Sequence, residues 1–367
     1  MHPTPLPLDV LVIGAGQAGL ALGRQLQQRG LRFSLVDRNA RVGDSWRQRF
    51  DSLTLFTPRA YSALPDMPMP GDPDGYPPKD EMADYLEAYV ARFDLPVALG
   101  TGIASLERSG GGFHAVTDSG DELTARTVVI ATGGFQEPVV PAIAEQLSAD
   151  VVQVTAATYR NPDDMPAGTV LVVGDGATGR QIALELSESR RVVLATGRPR
   201  RVSRDRMLGR SVFWWMDRLG ILRVSPESRI GSRLKTADPF PGMHLALDRL
   251  RERGITVVGR LGRAEGRTVA FASGERVDID AVIWATGYRD RTAWVRIPQA
   301  IDASGAFAHE RGVSPVPGLF YIGRSWQASR GSALVTGVGR DAAEIAGRID
   351  EVLASAPAVE PMPASVA

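Results

Sequence analysis

The stretch "VLVIGAGQAGLALGRQL", residues 10–26, decides the fold. An unbroken apolar run ends at Gly14, a Gly-x-Gly-x-x-Gly turn follows, and "LALGRQLQQRG" continues with helical spacing to Gly30. Apolar residues without alternation mark a strand buried on both faces of a parallel sheet. "RFSLVD" then reads as a second strand ending at Asp37. The same skeleton returns in "VLVVGDGATGRQIALEL", residues 170–186, where the helix is expected to run to about Ser189 and "RVVLAT" is the second strand, ending at Thr196.

The repetition extends beyond the turns. "GFHAVTDSGDELTARTVVIATGG" reads as a hairpin feeding a buried strand that ends in Ala131-Thr132-Gly133. "RTVAFASGERVDIDAVIWATGY" repeats that layout and ends in Ala285-Thr286-Gly287. An α/β chain with two Rossmann-like dinucleotide-binding domains is expected. The first takes residues 1–160 plus 285–354; the second is inserted at 161–284. Residues 40–80 form a long loop rich in Pro, Gly and Asp, and loops of that length are often functional. "KDEMADYLEAYVARFDL" reads as a helix with Asp80 as N-cap. "GLFYIG" is a closing strand, followed by a helix from about Ala333 to Leu353 and a disordered tail over 355–367.

The turns carry the chemistry. A diphosphate is held by backbone N–H groups at a helix N-terminus. Gly14 permits the sharp exit from the strand, Gly16 lets backbone approach the phosphates, and Gly19 lets helix and strand pack closely. Gln17 and Ala18 complete the first cradle; Gly174, Gly176, Ala177, Thr178 and Gly179 make the second. The two sites differ where their second strands end. The Asp37 carboxylate suits ribose hydroxyls and repels a 2′-phosphate. At the second site "ATGRPRR" carries no acid and places Arg198, Arg200 and Arg201 there, and guanidinium groups match phosphate in charge and geometry. Which of the three makes the contact stays open. The first site is expected to hold FAD and the second NADPH, so that a nicotinamide delivers hydride to a flavin.

Composition bounds the rest. The 367 residues suffice for two domains, and the zero net charge argues against nucleic acid or an anionic membrane as main partner. No run approaches the roughly 18 apolar residues of a membrane span, and the N-terminus does not read as a signal peptide, so the cytoplasm is the expected compartment. The absence of cysteine excludes a disulfide framework and a thiol redox pair. With His2, His114, His244 and His309 scattered, no metal site is expected.

The chain resembles the flavin-containing monooxygenase superfamily, above all its compact bacterial members and the plant YUCCA-type enzymes. The marks are "GAGQAG", "VGDSWRQRFDSLTLFTP", "YPPKDEMADYLEAY", "VVIATGGFQEPVVP", "TYRNP", "VLVVGDGATGRQIALEL", "VIWATGYR" and "GLFYIGRSWQASRGSALVTGVGRDAA", spread over about residues 9–350. The resemblance implies an FAD- and NADPH-dependent enzyme that oxygenates a small organic substrate with O2 through a C4a-hydroperoxyflavin. It implies FAD contacts at Asp37, Arg38, Gly43, Trp46, Arg47 and Ile103, with Thr132 and Gly133 on the first crossing, and Gly323 and Gln327 near the flavin ring. Tyr159, Arg160, Thr286, Gly287 and Tyr288 fall at the domain junction. Thr57 and Gln327 are flavin-proximal candidates. Tyr61, Phe213, Trp214, Trp215 and Trp326 are candidates for the substrate pocket, with core packing as the competing reading of the aromatic cluster. A homodimer stays an open option.

Three positions depart from the family pattern. The fingerprint His falls on Thr155 or Gln153, Pro58 stands where many members have Asn, and Arg324 follows Gly323 where related reductases carry Asp. The first two keep open an NADPH oxidase or dehydrogenase that passes electrons to another acceptor or releases peroxide. A redox-sensing dinucleotide-binding protein without turnover is the third reading.

Overall fold

The computed structural model describes residues 7–237 and 239–355, so the tail expected over 355–367 lies outside the described residues beyond Ser355. Strands β1 (Leu8–Ile13), β2 (Phe33–Val36), β3 (Val97–Ala98), β4 (Ile103–Ser109), β5 (Gly112–Thr117) and β6 (Glu122–Ile130) build the first sheet, in the order β3-β2-β1-β6-β5-β4. The second sheet is entirely parallel. It contains β7 (Val152–Thr155), β8 (Thr169–Val173), β9 (Arg191–Ala195), β10 (Thr256–Val258) and a strand at Ala281–Trp284, ordered β10-β9-β8-(281–284)-β7. A small antiparallel sheet of β11 (Leu261–Glu265), β12 (Thr268–Phe271) and β13 (Arg276–Asp278) precedes that strand, now β14. The last strand, β15 (Leu319–Tyr321), returns to the first sheet beside β6.

Both sheets are covered on two faces. The helices are α1 (Gln17–Gln28), α2 (Asp44–Arg47), α3 (Lys79–Phe93), α4 (Ala177–Leu186), α5 (Val212–Arg218), α6 (Arg229–Ala237), α7 (Leu247–Glu252) and α8 (Val335–Ser355). Along β1, Val10 and Val12 join a cluster with α1, α3 and α8. Leu11 and Ile13 point the other way, onto Phe113, Val295 and Phe307. Along β8, Val170 and Val172 face α4 (Ala177–Leu186) and α7 (Leu247–Glu252), while Leu171 meets Ala264, Val269 and Phe271 of the small sheet. Strands shielded on both faces read as continuous apolar runs because every side chain is buried.

Two expectations need correction. The boundary at residue 160 is drawn too late, since Val152–Thr155 pairs in register with Ala281–Trp284 and so belongs to the second sheet. Ala144, Leu147 and Val151 pack into that unit as well. Asp80 is not the cap of α3: Pro78 occupies that place, and Asp80 accepts from the Lys79 ammonium at 2.9 Å in the first turn.

Candidate dinucleotide sites

At the first turn each glycine has a distinct surrounding. Gly14 has φ +112°, and a Cβ there would lie 2.6 Å from the carbonyl oxygen of Ala131. A Cβ on Gly19 would lie 1.9 Å from the carbonyl oxygen of Gly14, which seals α1 onto the turn. Gly16 between them faces open space. The second turn repeats this: a Cβ on Gly174 (φ +109°) would lie 2.3 Å from Ala285 O, one on Gly179 would lie 1.9 Å from Gly174 O, and Gly176 is open. The Ala-Thr-Gly crossings thus form the floor on which each turn packs.

The helices that follow are prepared for an anion. Neither α1 nor α4 has a side-chain hydrogen bond at its N-cap, Gly16 or Gly176, and neither carries an acidic residue in its first turn. Their first N–H groups are free to meet a phosphate. By contrast, α3 opens with Asp80 and Glu81.

The ends of the second strands are wired in opposite senses. At the first site Asp37 Oδ2 accepts the Ala15 N–H at 2.8 Å, and Oδ1 accepts from the Asn39 backbone and side chain at 2.9 Å each. At the second site the acid sits inside the turn: Asp175 Oδ1 accepts the Gly197 N–H at 3.0 Å. That frees the strand end for basic residues. A cleft of about 520 Å³ runs over the second turn, lined by Gly174 to Gly179, Thr286, Gly287, Tyr288, Phe135, Arg198, Arg200 and Arg260. Arg201, expected alongside, does not line it. Arg260 carries no motif in the sequence; it joins because β10 pairs directly with β9.

Several expected FAD residues act through packing. The guanidinium of Arg47 donates to Val42 O at 2.7 Å and pairs with Asp84 and Glu87 of α3 at 2.8 Å each. Gly43 (φ +86°) is closed against Ala83 O, where a Cβ would come within 2.7 Å. Both therefore hold the 41–47 loop on α3. Trp46 Nε1 donates to Gln17 Oε1 at 3.2 Å, so the loop also touches the start of α1. Ile103 is buried in the core, and Arg38 backs onto neighbouring Gly102. Gly323 (φ +81°) lies against Ala18, leaving a Cβ only 2.7 Å of clearance. Gln327 is 3 % exposed, and its Nε2 is a buried donor with no acceptor among the described residues. The uncapped α1 N-terminus, the open face of Gly16 and this orphaned amide fit a dinucleotide bearing a polar ring system.

The two crossings are zipped together at the junction. Tyr288 and Arg289 pair antiparallel with Pro138 and Glu137, Thr286 Oγ1 donates to Val139 O, and Gln136 Nε2 donates to Thr132 Oγ1 and Gly133 O. Arg49 reaches across from the first unit to donate to the Tyr288 hydroxyl at 3.3 Å and lies 4.6 Å from the centre of the exposed Phe135 ring. Tyr159 is fully buried and donates to Glu185 of α4 at 2.8 Å, while Arg160 O accepts the Asp51 N–H at 2.7 Å.

The aromatic candidates separate. Phe213 is buried between Phe56 and Tyr61, with ring centres 6.2 and 6.1 Å away, so it is packing rather than open wall. Tyr61 and Trp214 line a second cleft of about 520 Å³ together with Asp72, Asp74, Arg210 and Asp217. Trp215 donates to Met207 O at 2.9 Å, and Trp326 is buried under Arg330. Thr57 is also buried, its hydroxyl 2.8 Å from that of Ser62. No helix among the described residues is long and apolar enough to cross a membrane.

The family model described as pyridine nucleotide-disulphide oxidoreductase matches residues 11–214, more than half of the chain. The chain belongs to that family. It is 45 % identical over 336 residues, 91 % of this chain and 96 % of the relative, to an uncharacterised CzcO-like oxidoreductase of Geobacillus kaustophilus. It is 28 % identical over 330 residues to the probable indole-3-pyruvate monooxygenase YUCCA9 of Arabidopsis thaliana, covering 80 % of this chain and 78 % of that protein. The solved flavin-containing monooxygenase of Stenotrophomonas maltophilia superposes with a TM-score of 0.81 at 26 % identity, over 95 % of this chain and all of that one. This member of the family is a flavin-monooxygenase-like oxidoreductase whose cofactors are FAD and NADPH. The sequence contains no cysteine to form a thiol–disulphide pair of its own.

Proposed function

We propose that the chain oxygenates a small organic molecule with dioxygen, FAD resting on the 14–19 turn and NADPH on the 174–179 turn. The observation that carries this is the duplicated glycine construction with opposite wiring: Asp37 at the end of one strand, and a basic strand end at the other. Bound flavin supplies an acceptor for the hydride of NADPH and a centre that reacts with dioxygen. The protein's part is positioning. The α1 N–H groups hold one diphosphate and those of α4 the other, and Arg198, Arg200 and Arg260 are candidates for the 2′-phosphate. The buried amide of Gln327 is a hydrogen-bond donor for the flavin ring. The cleft at Tyr61 and Trp214 is the candidate entry for substrate, and its mixed aromatic and charged walls suit a small amphipathic molecule.

A specific observation favours a second reading, in which electrons end as peroxide. The Thr57 hydroxyl is tied to Ser62, and Pro58 adds no side-chain donor, so this loop offers nothing to stabilise an oxygenated flavin. One experiment separates the two. The purified yellow protein is mixed with NADPH in air across a panel of sulfides, amines, ketones and 2-oxo acids, and peroxide is quantified against NADPH consumed. Oxygenation predicts that at least one compound lowers the peroxide yield well below the NADPH consumed and appears as an oxygenated product. A one-to-one ratio throughout overturns it in favour of the oxidase.

A further inference from the structure

We propose that the buried pair Asp175–Arg180 is the positioning element that sets the preference of the second site for NADPH over NADH. The inference rests on reading that site as the NADPH site. Asp175 is 4 % and Arg180 1 % exposed. The guanidinium of Arg180 donates from Nε to the Asp175 carbonyl at 2.9 Å, from Nη2 to Asp175 Oδ2 at 3.1 Å, and from Nη1 to Leu245 O at 3.0 Å. Its face lies 5.3 Å from the centre of the Phe240 ring.

These contacts hold the arginine-bearing loop at both ends. At its start, the Gly197 N–H is accepted by the second oxygen of Asp175, whose first oxygen is fixed by Arg180. At its end, Val202–Ser203 pairs with Phe240–Pro241, the segment that Arg180 grips through the Phe240 ring and Leu245 O. Arg198 and Arg200, both facing the cleft, lie between these two anchors. The pair has an electrostatic effect as well. An unpaired carboxylate at Asp175, on the cleft wall, would repel a 2′-phosphate, and Arg180 neutralises it. Ion pairs this deeply buried add little stability over an apolar pair of the same size, and geometry is their better-attested use. Lysine cannot replace this arginine, because a single ammonium cannot present three donors in a fixed fork.

The test is equilibrium binding of NADP+ and of NAD+ to the purified FAD-loaded protein carrying Arg180→Lys, which keeps the buried positive charge. NADP+ is expected to bind about tenfold more weakly and NAD+ to change by less than about twofold, with unchanged FAD content. Should Arg180→Lys fail to fold, Gly197→Pro removes the anchoring N–H while leaving Asp175 and Arg180 in place, and the same split is expected. Parallel weakening of both nucleotides, or no change in either, overturns the inference. The double variant Arg198→Ala/Arg200→Ala tests the underlying reading in the same assay. If it keeps the NADP+ preference, the arginine assignment itself fails. If it loses the preference while Arg180→Lys retains it, only the role of the buried pair fails.

Discussion

Single residues at the two turns carry distinguishable loads, which makes them separately testable. Gly179→Ala puts a methyl group 1.9 Å from Gly174 O, so α4 must move. Overpacking of that kind costs about 1–3 kcal/mol. Gly176 faces open space at φ −69°. Gly176→Ala should therefore alter stability by less than about 1 kcal/mol. Urea unfolding of the two variants checks the contrast, and equal destabilisation would contradict it. Asp341 offers a pH signature. It is buried on α8, and its Oδ2 has no partner among the described residues. Loss of solvent pushes its carboxyl up to about 6, the Ser332 hydroxyl acts against the shift, neighbouring Glu344 adds to it, and Arg340 and Arg311 oppose it. The folded state thus holds this proton more tightly than the unfolded chain. The resulting penalty is absent below the unfolded carboxyl value, grows as pH rises, and is complete above about 6. Asp341→Asn should stabilise the protein by about 2–3 kcal/mol near pH 8 and by almost nothing near pH 4. Melting temperatures at the two pH values check this, and a pH-independent difference would contradict it.

At the scale of elements, the sequence announced the strands that are buried on both faces and stayed quiet about the others. β1, β6, β8 and β14 read as apolar runs because both of their faces are covered. Val152–Thr155 did not read as a strand, being short, half-exposed and defined only by its pairing with a segment far along the chain. β4 carries no clear signal because "IASLERS" mixes buried and exposed positions. The loop over residues 40–80 read as irregular, and its composition concealed Phe50. That side chain is 2 % exposed and sits in the core of the second unit, with its ring centre 6.4 Å from that of Tyr159. Phe50→Ala should cost about 3–5 kcal/mol, because it leaves a cavity between a loop of the first unit and the core of the second. Chemical denaturation checks the figure; a cost below about 1 kcal/mol would show that the loop is not anchored there.

On the scale of the whole molecule, the repeated turns are legible in the sequence, but their surroundings are visible only in three dimensions. Composition at "GRPRR" pointed to a phosphate, yet only sheet order brings Arg260 beside Arg198 and Arg200, and only packing shows Arg47 held on α3. The identity of the substrate is the part least readable in either, since the walls of the candidate cleft are shared between the 60–74 loop and α5 (Val212–Arg218), whose meeting no motif encodes. The central claim is that the two turns are unequal, one holding the electron acceptor and the other the donor. Anaerobic reduction of the bound flavin by NADPH, followed by loss of its visible absorbance, tests this most directly when wild type is compared with Gly176→Ala. The account predicts that the variant keeps its full FAD content and is still bleached by dithionite, while reduction by NADPH needs at least about tenfold more nucleotide. Loss of FAD from Gly176→Ala, or reduction of the variant at the same NADPH concentration as wild type, would contradict it.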